Sequence, residues 1–179
     1  MSLRALFVTS FLALVAAGFP SVSRATPPSR DRVLELLNSY EGNSNRAAWT
    51  ALGAETPDVL FSVYNDSHLM PYVRIRAVAA VANFPSEATH AFLRRVASQP
   101  GQGELFVREA VLALANAFGV SAESEIAPYL EHASAVVRIG AVHALSGFRS
   151  ATASNLLRAR LPLERSADVR EAISHALAH

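Results

Sequence analysis

Val137-Arg-Ile-Gly-Ala-Val-His-Ala-Leu145 decides the reading of this chain, because the line recurs three more times. It appears as Val73-Arg-Ile-Arg-Ala-Val-Ala-Ala-Val81, as Phe106-Val-Arg-Glu-Ala-Val-Leu-Ala-Leu114 and as Val169-Arg-Glu-Ala-Ile-Ser-His-Ala-Leu177. The last apolar residues, Val81, Leu114, Leu145 and Leu177, are 33, 31 and 32 residues apart. A fixed step of that size is the mark of stacked supersecondary units rather than one irregular core.

Numbering each line from 0, apolar and small residues fall at slots 0, 4, 7 and 8, one stripe of a helix. Alanine at slots 4 and 7 (Ala77 and Ala80, Ala110 and Ala113, Ala141 and Ala144) lets neighbouring helices approach closely, and the large residue at slot 8 fills the layer beneath. One helix pair cannot bury such a stripe alone, but a stack can. Shorter helical segments precede each line and complete the pairs. Helices are expected over 31–40, 46–52, 56–64, 72–82, 87–97, 104–117, 121–131, 135–146, 150–161 and 167–178, making five pairs with short loops. Ser29, Thr56, Ser86, Ser121 or Ser124, Ser134, Ser150 or Thr152, and Ser166 stand at expected helix starts, where a hydroxyl can accept an orphan N–H. Asn83, Asn116 and Gly147 stand two residues after the slot-8 residue, where a left-handed stop is expected. Pro128 falls in the first turns of the helix expected over 121–131, costing at most about one hydrogen bond there.

The repeated line resembles the short HEAT-like repeat family, of the type also found in phycobilin lyases. That family's line is roughly Val-Arg-x-x-Ala-x-x-Ala-Leu, following a helix that carries a proline, as in Ile126-Ala-Pro-Tyr-Leu130. The resemblance covers residues 31–179 and is loosest at Phe106–Leu114, where Arg108 is displaced by one position. It implies an all-α, right-handed α-solenoid of about five helix pairs, an armadillo-like superhelix whose work is to hold a partner. The tetratricopeptide and ankyrin signatures are absent.

The N-terminal residues read differently. Arg4 is followed by an apolar run from Ala5 to Phe19, then Pro20 and the small residues of Ser23-Arg24-Ala25. This is the layout of a secretory signal peptide over 1–25, with 26–30 as a linker. An uncleaved N-terminal anchor is the alternative, although the run is short of the roughly 20 residues that span a bilayer comfortably. A periplasmic or secreted bacterial protein is therefore expected. Membrane contact would come only through that segment if it is retained. No cysteine is present, so the fold stands without disulfides or thiolate metal sites and no lipoprotein anchor follows the run.

Sixteen basic residues, all arginine, face 15 acids; without Arg4 and Arg24 the remainder carries a net charge of −1. That balance gives no support to nucleic-acid binding. The arginines at slot 1 (Arg74, Arg138, Arg170) and the displaced Arg108 are expected to pair with acids near neighbouring turns, such as Asp66, Glu131 and Asp168, or else to grip an acidic ligand. Two denser basic groups, Arg74/Arg76/Arg94/Arg95 and Arg149/Arg158/Arg160/Arg165, read as solvated faces or as contacts for an acidic partner.

His143 and His175 share slot 6 in consecutive lines and His132 closes a preceding helix. Packed helices lie about 8–10 Å apart, which is long for shared metal ligands, so no metal or cofactor is expected. No nucleophile elbow or phosphate-binding glycine loop is present, and Glu131-His132 reverses the His-Glu order of HEAT-like metal hydroxylases. The chain is not expected to be an enzyme.

Slots 5 and 6 should point away from the stripe. They hold Val78 and Ala79, Val111 and Leu112, Val142 and His143, then Ser174 and His175. Either they form a mildly apolar ridge on the inner face, or the curvature of a short array buries them. The candidate binding residues are Arg76, Val78, Arg108, Val111, Leu112, Val142, His143 and His175. The expected function is a scaffold that binds another protein, with self-association as one form of this. The alternative is a lyase-like enzyme or small-molecule carrier using the concave face.

Overall fold

A computed structural model describes residues 27–39 and 46–178. The expected signal peptide, the turn over 41–45 and His179 lie outside the described residues. Among those described the chain is all-α, with no strand.

The helices fall near the expected segments, except that the one expected over 121–131 is a single short helix between 3₁₀ turns. They are α1 (Arg30–Asn38), α2 (Arg46–Thr50), α3 (Thr56–Asn65), α4 (Pro71–Ala80), α5 (Glu87–Ser98), α6 (Glu104–Phe118), α7 (Glu123–Ile126), α8 (Ala135–Phe148), α9 (Ala151–Arg160) and α10 (Ala167–Ala178). The four repeated lines are α4, α6, α8 and α10. They pack in chain order, α4 on α6, α6 on α8 and α8 on α10. Each also packs on its own preceding helix, α3 on α4, α5 on α6, α7 on α8 and α9 on α10.

The stripe does what its spacing requires. Slots 0, 4, 7 and 8 are buried in α8 at Val137, Ala141, Ala144 and Leu145, and the same slots are buried in α4. In α6 the three slots Ala110, Ala113 and Leu114 are buried. From the preceding helices Leu60, Leu93, Ile126 and Leu157 enter the same layer. Each such leucine removed from water contributes about 1.5–3 kcal/mol before the entropy of ordering it. At α10 the stripe loosens: Val169 and Ile173 are buried, but Ala176 and Leu177 are half-exposed, because no described helix packs beyond them.

Helix starts match in part. Ser29, Ser86 and Ser150 accept the N–H of Arg32, Thr89 and Ala153 at 3.3, 3.1 and 2.9 Å. Thr56 does not cap α3; it is the first helical residue, buried, and donates its hydroxyl to the Gly53 carbonyl at 2.6 Å. Ser134 occupies the cap position of α8 but gives its hydroxyl to Glu104. Pro57 and Pro71 sit in first turns, where the missing N–H costs nothing.

The expected stops fall elsewhere. α6 and α8 each run past Asn116 and Gly147 and end on left-handed residues at Gly119 (φ 58°) and Arg149 (φ 50°). Asn83 closes a 3₁₀ turn instead, donating its side-chain amide to the Ala80 carbonyl at 2.9 Å. Pro128 does more than was expected of it. It breaks the segment after Ile126 into a 3₁₀ turn over Ala127–Glu131, since proline lacks the N–H and crowds the preceding turn.

Candidate functional site

The slots of α4, α6, α8 and α10 sort into three surfaces. Slots 0, 4, 7 and 8 face the core. Slot 5, about 100° from slot 6 on a helical wheel, is covered in α4, α6 and α8, where Val78, Val111 and Val142 are each 0% exposed, while Ser174 of α10 is exposed. The expectation that these valines line an exposed ridge is thus corrected. A helix with a partner beneath it and one on each flank keeps only a narrow outer strip, and slot 5 falls on the flank.

The strip that remains is made of slots 2 and 6, about 40° apart. It holds Ile75 and Ala79, then Arg108 and Leu112, then Ile139 and His143, then Glu171 and His175. His143, Glu171 and His175 are exposed and the other five are half-buried. Arg108, Leu112, His143 and His175 therefore share one strip running across four packed helices. It is apolar at α4 and becomes polar toward α10.

Close packing at this strip depends on one glycine. A Cβ on Gly140 would lie 2.8 Å from Cγ of Arg108 and 3.6 Å from its carbonyl oxygen. Gly140 thus gives the Arg108 side chain its path across α8. Beside it, Glu109 is half-buried, and burial pushes its carboxyl above the usual range, partly offset by Arg108.

Arg76 is not on this strip. It is 8% exposed and donates to the Ser39 carbonyl at 2.8 Å and to the Tyr72 hydroxyl at 2.5 Å. The tyrosine ring lies 5.4 Å from its guanidinium carbon. Its Nε is buried without a hydrogen-bond partner. Arg76 serves to tie the end of α1 to α4, so its role is internal.

The slot-1 arginines have a shared task that the sequence did not show. Each reaches back to carbonyls left open at the end of the preceding segment. Arg74 Nε donates to Tyr64 O at 2.7 Å. Arg138 Nη1 donates to His132 O and Ala133 O at 2.8 and 2.9 Å. Arg170 Nη1 donates to Glu164 O and Arg165 O at 3.1 and 2.9 Å. A helix end leaves four carbonyls without intrahelical partners, and a cationic donor is well suited to them. The expected acids are not the partners: Asp66 pairs with Arg30 at 2.6 Å, and its carboxyl is held low chiefly by the His68 N–H. In the α6 repeat Val107 takes slot 1 and is buried, so Arg108 is freed for the outer strip.

One acid the sequence did not single out is central. Glu164, with a fully buried side chain, accepts Nε and Nη2 of Arg138 at 2.8 and 2.9 Å and Nη2 of Arg160 at 2.9 Å. The N–H groups of Arg165 and Ser166 add bonds at 2.9 and 2.8 Å. Burial alone would raise its pKa, but these hydrogen bonds, Arg138 first, outweigh it and hold the carboxyl at about 2. The cluster joins α8, the end of α9 and the start of α10, and it takes Arg160 out of the expected C-terminal basic face.

A second unforeseen cluster lies among the preceding helices. His90 Nε2 meets Glu125 Oε1 at 2.9 Å, and Arg94 Nε lies 3.2 Å from Glu125 Oε2. Oε2 is buried and makes no hydrogen bond. Burial and then the Glu125 charge raise the Tyr129 pKa, with Arg94 opposing them. Two cavities open on either side of Glu125, of about 390 and 180 Å³. The residues are 35 positions apart and occupy no common slot, so periodicity could not pair them. The cluster also takes Arg94 out of the expected basic group. His132 is likewise engaged, its Nδ1 accepting the Ser134 N–H at 3.1 Å. No group of three or more His, Asp or Glu side chains suited to a metal occurs among the described residues.

Comparison with protein-family models, curated proteins and solved structures matches this chain to none of them.

Proposed function

We propose that this chain is an exported HEAT-like α-solenoid of five helix pairs that binds another protein along slots 2 and 6 of its second helices. The observation that carries this reading is the repetition itself. The same two slots stay at the surface in α4, α6, α8 and α10 while every other apolar slot in α4 and α8 is buried. A continuous strip of one register across stacked helices is the extended surface that repeat proteins use for recognition. Its half-buried Ile75, Leu112 and Ile139 would supply apolar contact, and Arg108, His143 and His175 a polar rim. The signal-like run over 5–19 supports export to a bacterial periplasm or beyond.

The test is a crosslinking capture from the native cell envelope with three baits. These are the wild type, a Leu112→Glu/His143→Glu double variant, and a control Ala91→Glu on the exposed side of α5. A partner held by the wild type and the control but lost by the folded double variant supports the reading. Equal capture by all three baits overturns it.

A further inference from the structure

The strip of slots 2 and 6 gains one more position at the start of each second helix. Slot −1 lies about 20° from slot 6 on the helical wheel. It holds Tyr72 in α4, Leu105 in α6, Val136 in α8 and Asp168 in α10. Tyr72 and Leu105 are large apolar side chains that stand open to water, 58% and 48% exposed. With Ile75, Leu112, Val136 and Ile139 they make an apolar face over α4, α6 and α8, and Arg108 stands in its middle column. We propose that this face docks an amphipathic segment of a partner protein whose apolar side chains lie on α4, α6 and α8 and whose central carboxylate meets Arg108, a partner chemistry that rests on the strip being the binding face.

Arg108 is placed for an external acceptor. In the other three lines the slot-1 arginine donates to carbonyls at the end of the preceding segment. In α6 Val107 takes that slot and is buried, so Arg108 has no such task. Gly140 clears the path of Arg108 across α8, since a Cβ there would lie 2.8 Å from its Cγ. Arg108 makes no hydrogen bond or ion pair among the described residues. Glu109 sits at slot 3, on the flank, and does not pair with it. Leu105 and Leu112 lie three residues before Arg108 and four after it on the same side of α6. A half-buried guanidinium among apolar side chains therefore keeps its donors without a protein acceptor, and a carboxylate takes them in pairs.

The shape of the face favours a polypeptide. Its outer columns, on α4 and α8, are two helix spacings apart, about 16–20 Å. Small-molecule sites enclose most of their ligand, whereas Tyr72 and Leu105 stand in the open. An open apolar patch with a polar rim is the form of a protein recognition site, and here the rim is Asp168, Glu171 and His175 on α10. Charge argues against a second copy of this chain. A two-fold axis between α6 and α8 would press Tyr72 and Ile75 onto the acids Asp168 and Glu171 of the other copy, burying charge without partners. An axis at α6 would set Arg108 against Arg108. A membrane surface would call for a basic rim, and Asp168 and Glu171 make this one acidic.

The test is selection from a random peptide display library on the immobilised chain, followed by anisotropy titrations of the selected peptides. These should carry a glutamate or aspartate among apolar residues. Changing that acid to its amide should weaken binding about tenfold, and so should Arg108→Gln in the protein. Arg108→Glu should instead select peptides with a basic residue at that place. The amide peptides are measured on the unaltered chain, so the test stands even if an Arg108 variant does not fold. Peptides indifferent to the amide change and to Arg108→Gln, but lost from Leu112→Glu, overturn the acidic partner and leave the strip as the binding face. Peptides that bind Leu112→Glu undiminished, or a library that yields none, overturn both. Binding to anionic vesicles that Leu112→Glu abolishes, with no peptide selected, overturns the proposal by making the occupant a membrane.

Discussion

Glu164 and Glu125 both bridge neighbouring helix pairs, and they do so in opposite ways. Glu164 is wholly buried and receives two arginines and two backbone N–H groups, so its acceptor positions are filled. Glu125 is about a third exposed and holds one histidine on Oε1 and one arginine, Arg94, at 3.2 Å from Oε2, with no backbone N–H among its partners. A filled carboxylate holds helices together. A partly exposed one with two side-chain partners holds them more loosely. Burial and the number of donors together separate the two acids: Glu164 is closed off and fully bonded, and Glu125 is partly open with fewer donors.

The largest expected effect is at the filled site. Glu164→Ala strands the Arg138 guanidinium in the interior and should cost about 3–5 kcal/mol in urea unfolding. Glu125→Ala should cost about 1 kcal/mol or less in the same assay, as partly exposed pairs do. Equal losses would erase the contrast.

Acid titration comes next. The folded pKa of Glu164, about 2, lies below its usual value of 4.5. The unfolded chain therefore binds the proton more readily, and the stabilisation is complete above about pH 4.5. As pH falls from there to about 2, roughly 3 kcal/mol should be lost. Glu164→Gln should flatten that part of the stability profile, and a wild-type curve that stays flat would contradict the assignment.

Smaller still is Arg138→Lys. It keeps the charge but loses the two-pronged grip on Glu164 and the paired carbonyl contacts, at about 1–2 kcal/mol. A neutral result would mean that charge alone matters at this junction. At the lower end, His90→Gln should change stability by about 0.5–1 kcal/mol, the net worth of one hydrogen bond, read as a small shift in the urea midpoint.

The helices were readable from the chain because each repeated line states its stripe four times. Three of the four lines keep Ala at both slots 4 and 7, the fourth has Ile173 and Ala176, and all four keep a large apolar residue at slot 8, which chance apolar runs do not do. The stops were less readable. Asn116 and Gly147 can end a helix, but α6 and α8 continue two or three residues further, to Gly119 and Arg149. The surface strip was half readable. Leu112, His143 and His175 lie on it, but the pattern left Val78, Val111 and Val142 open between ridge and burial, and they are buried. A helical wheel gives angles, not the width of the neighbours. The two acid clusters were not readable at all. Glu164 meets Arg138 over 26 residues and Glu125 meets His90 over 35, and only the packed helices bring them together.

The central claim is that the second helices form an ordered stack with slot 6 in register on one face. The natural chain has no cysteine, which makes it a clean background for crosslinking. Paired cysteine variants at Ala79 and Leu112, Leu112 and His143, His143 and His175, and Ala79 and His175 would be treated with a short bis-maleimide. Neighbouring helices place equal slots about 8–10 Å apart, within such a reagent's reach, and the end-to-end pair spans three such steps. The account predicts efficient intramolecular crosslinking for the three neighbouring pairs and none for Ala79 with His175. A crosslink between that end pair as efficient as the others would contradict it.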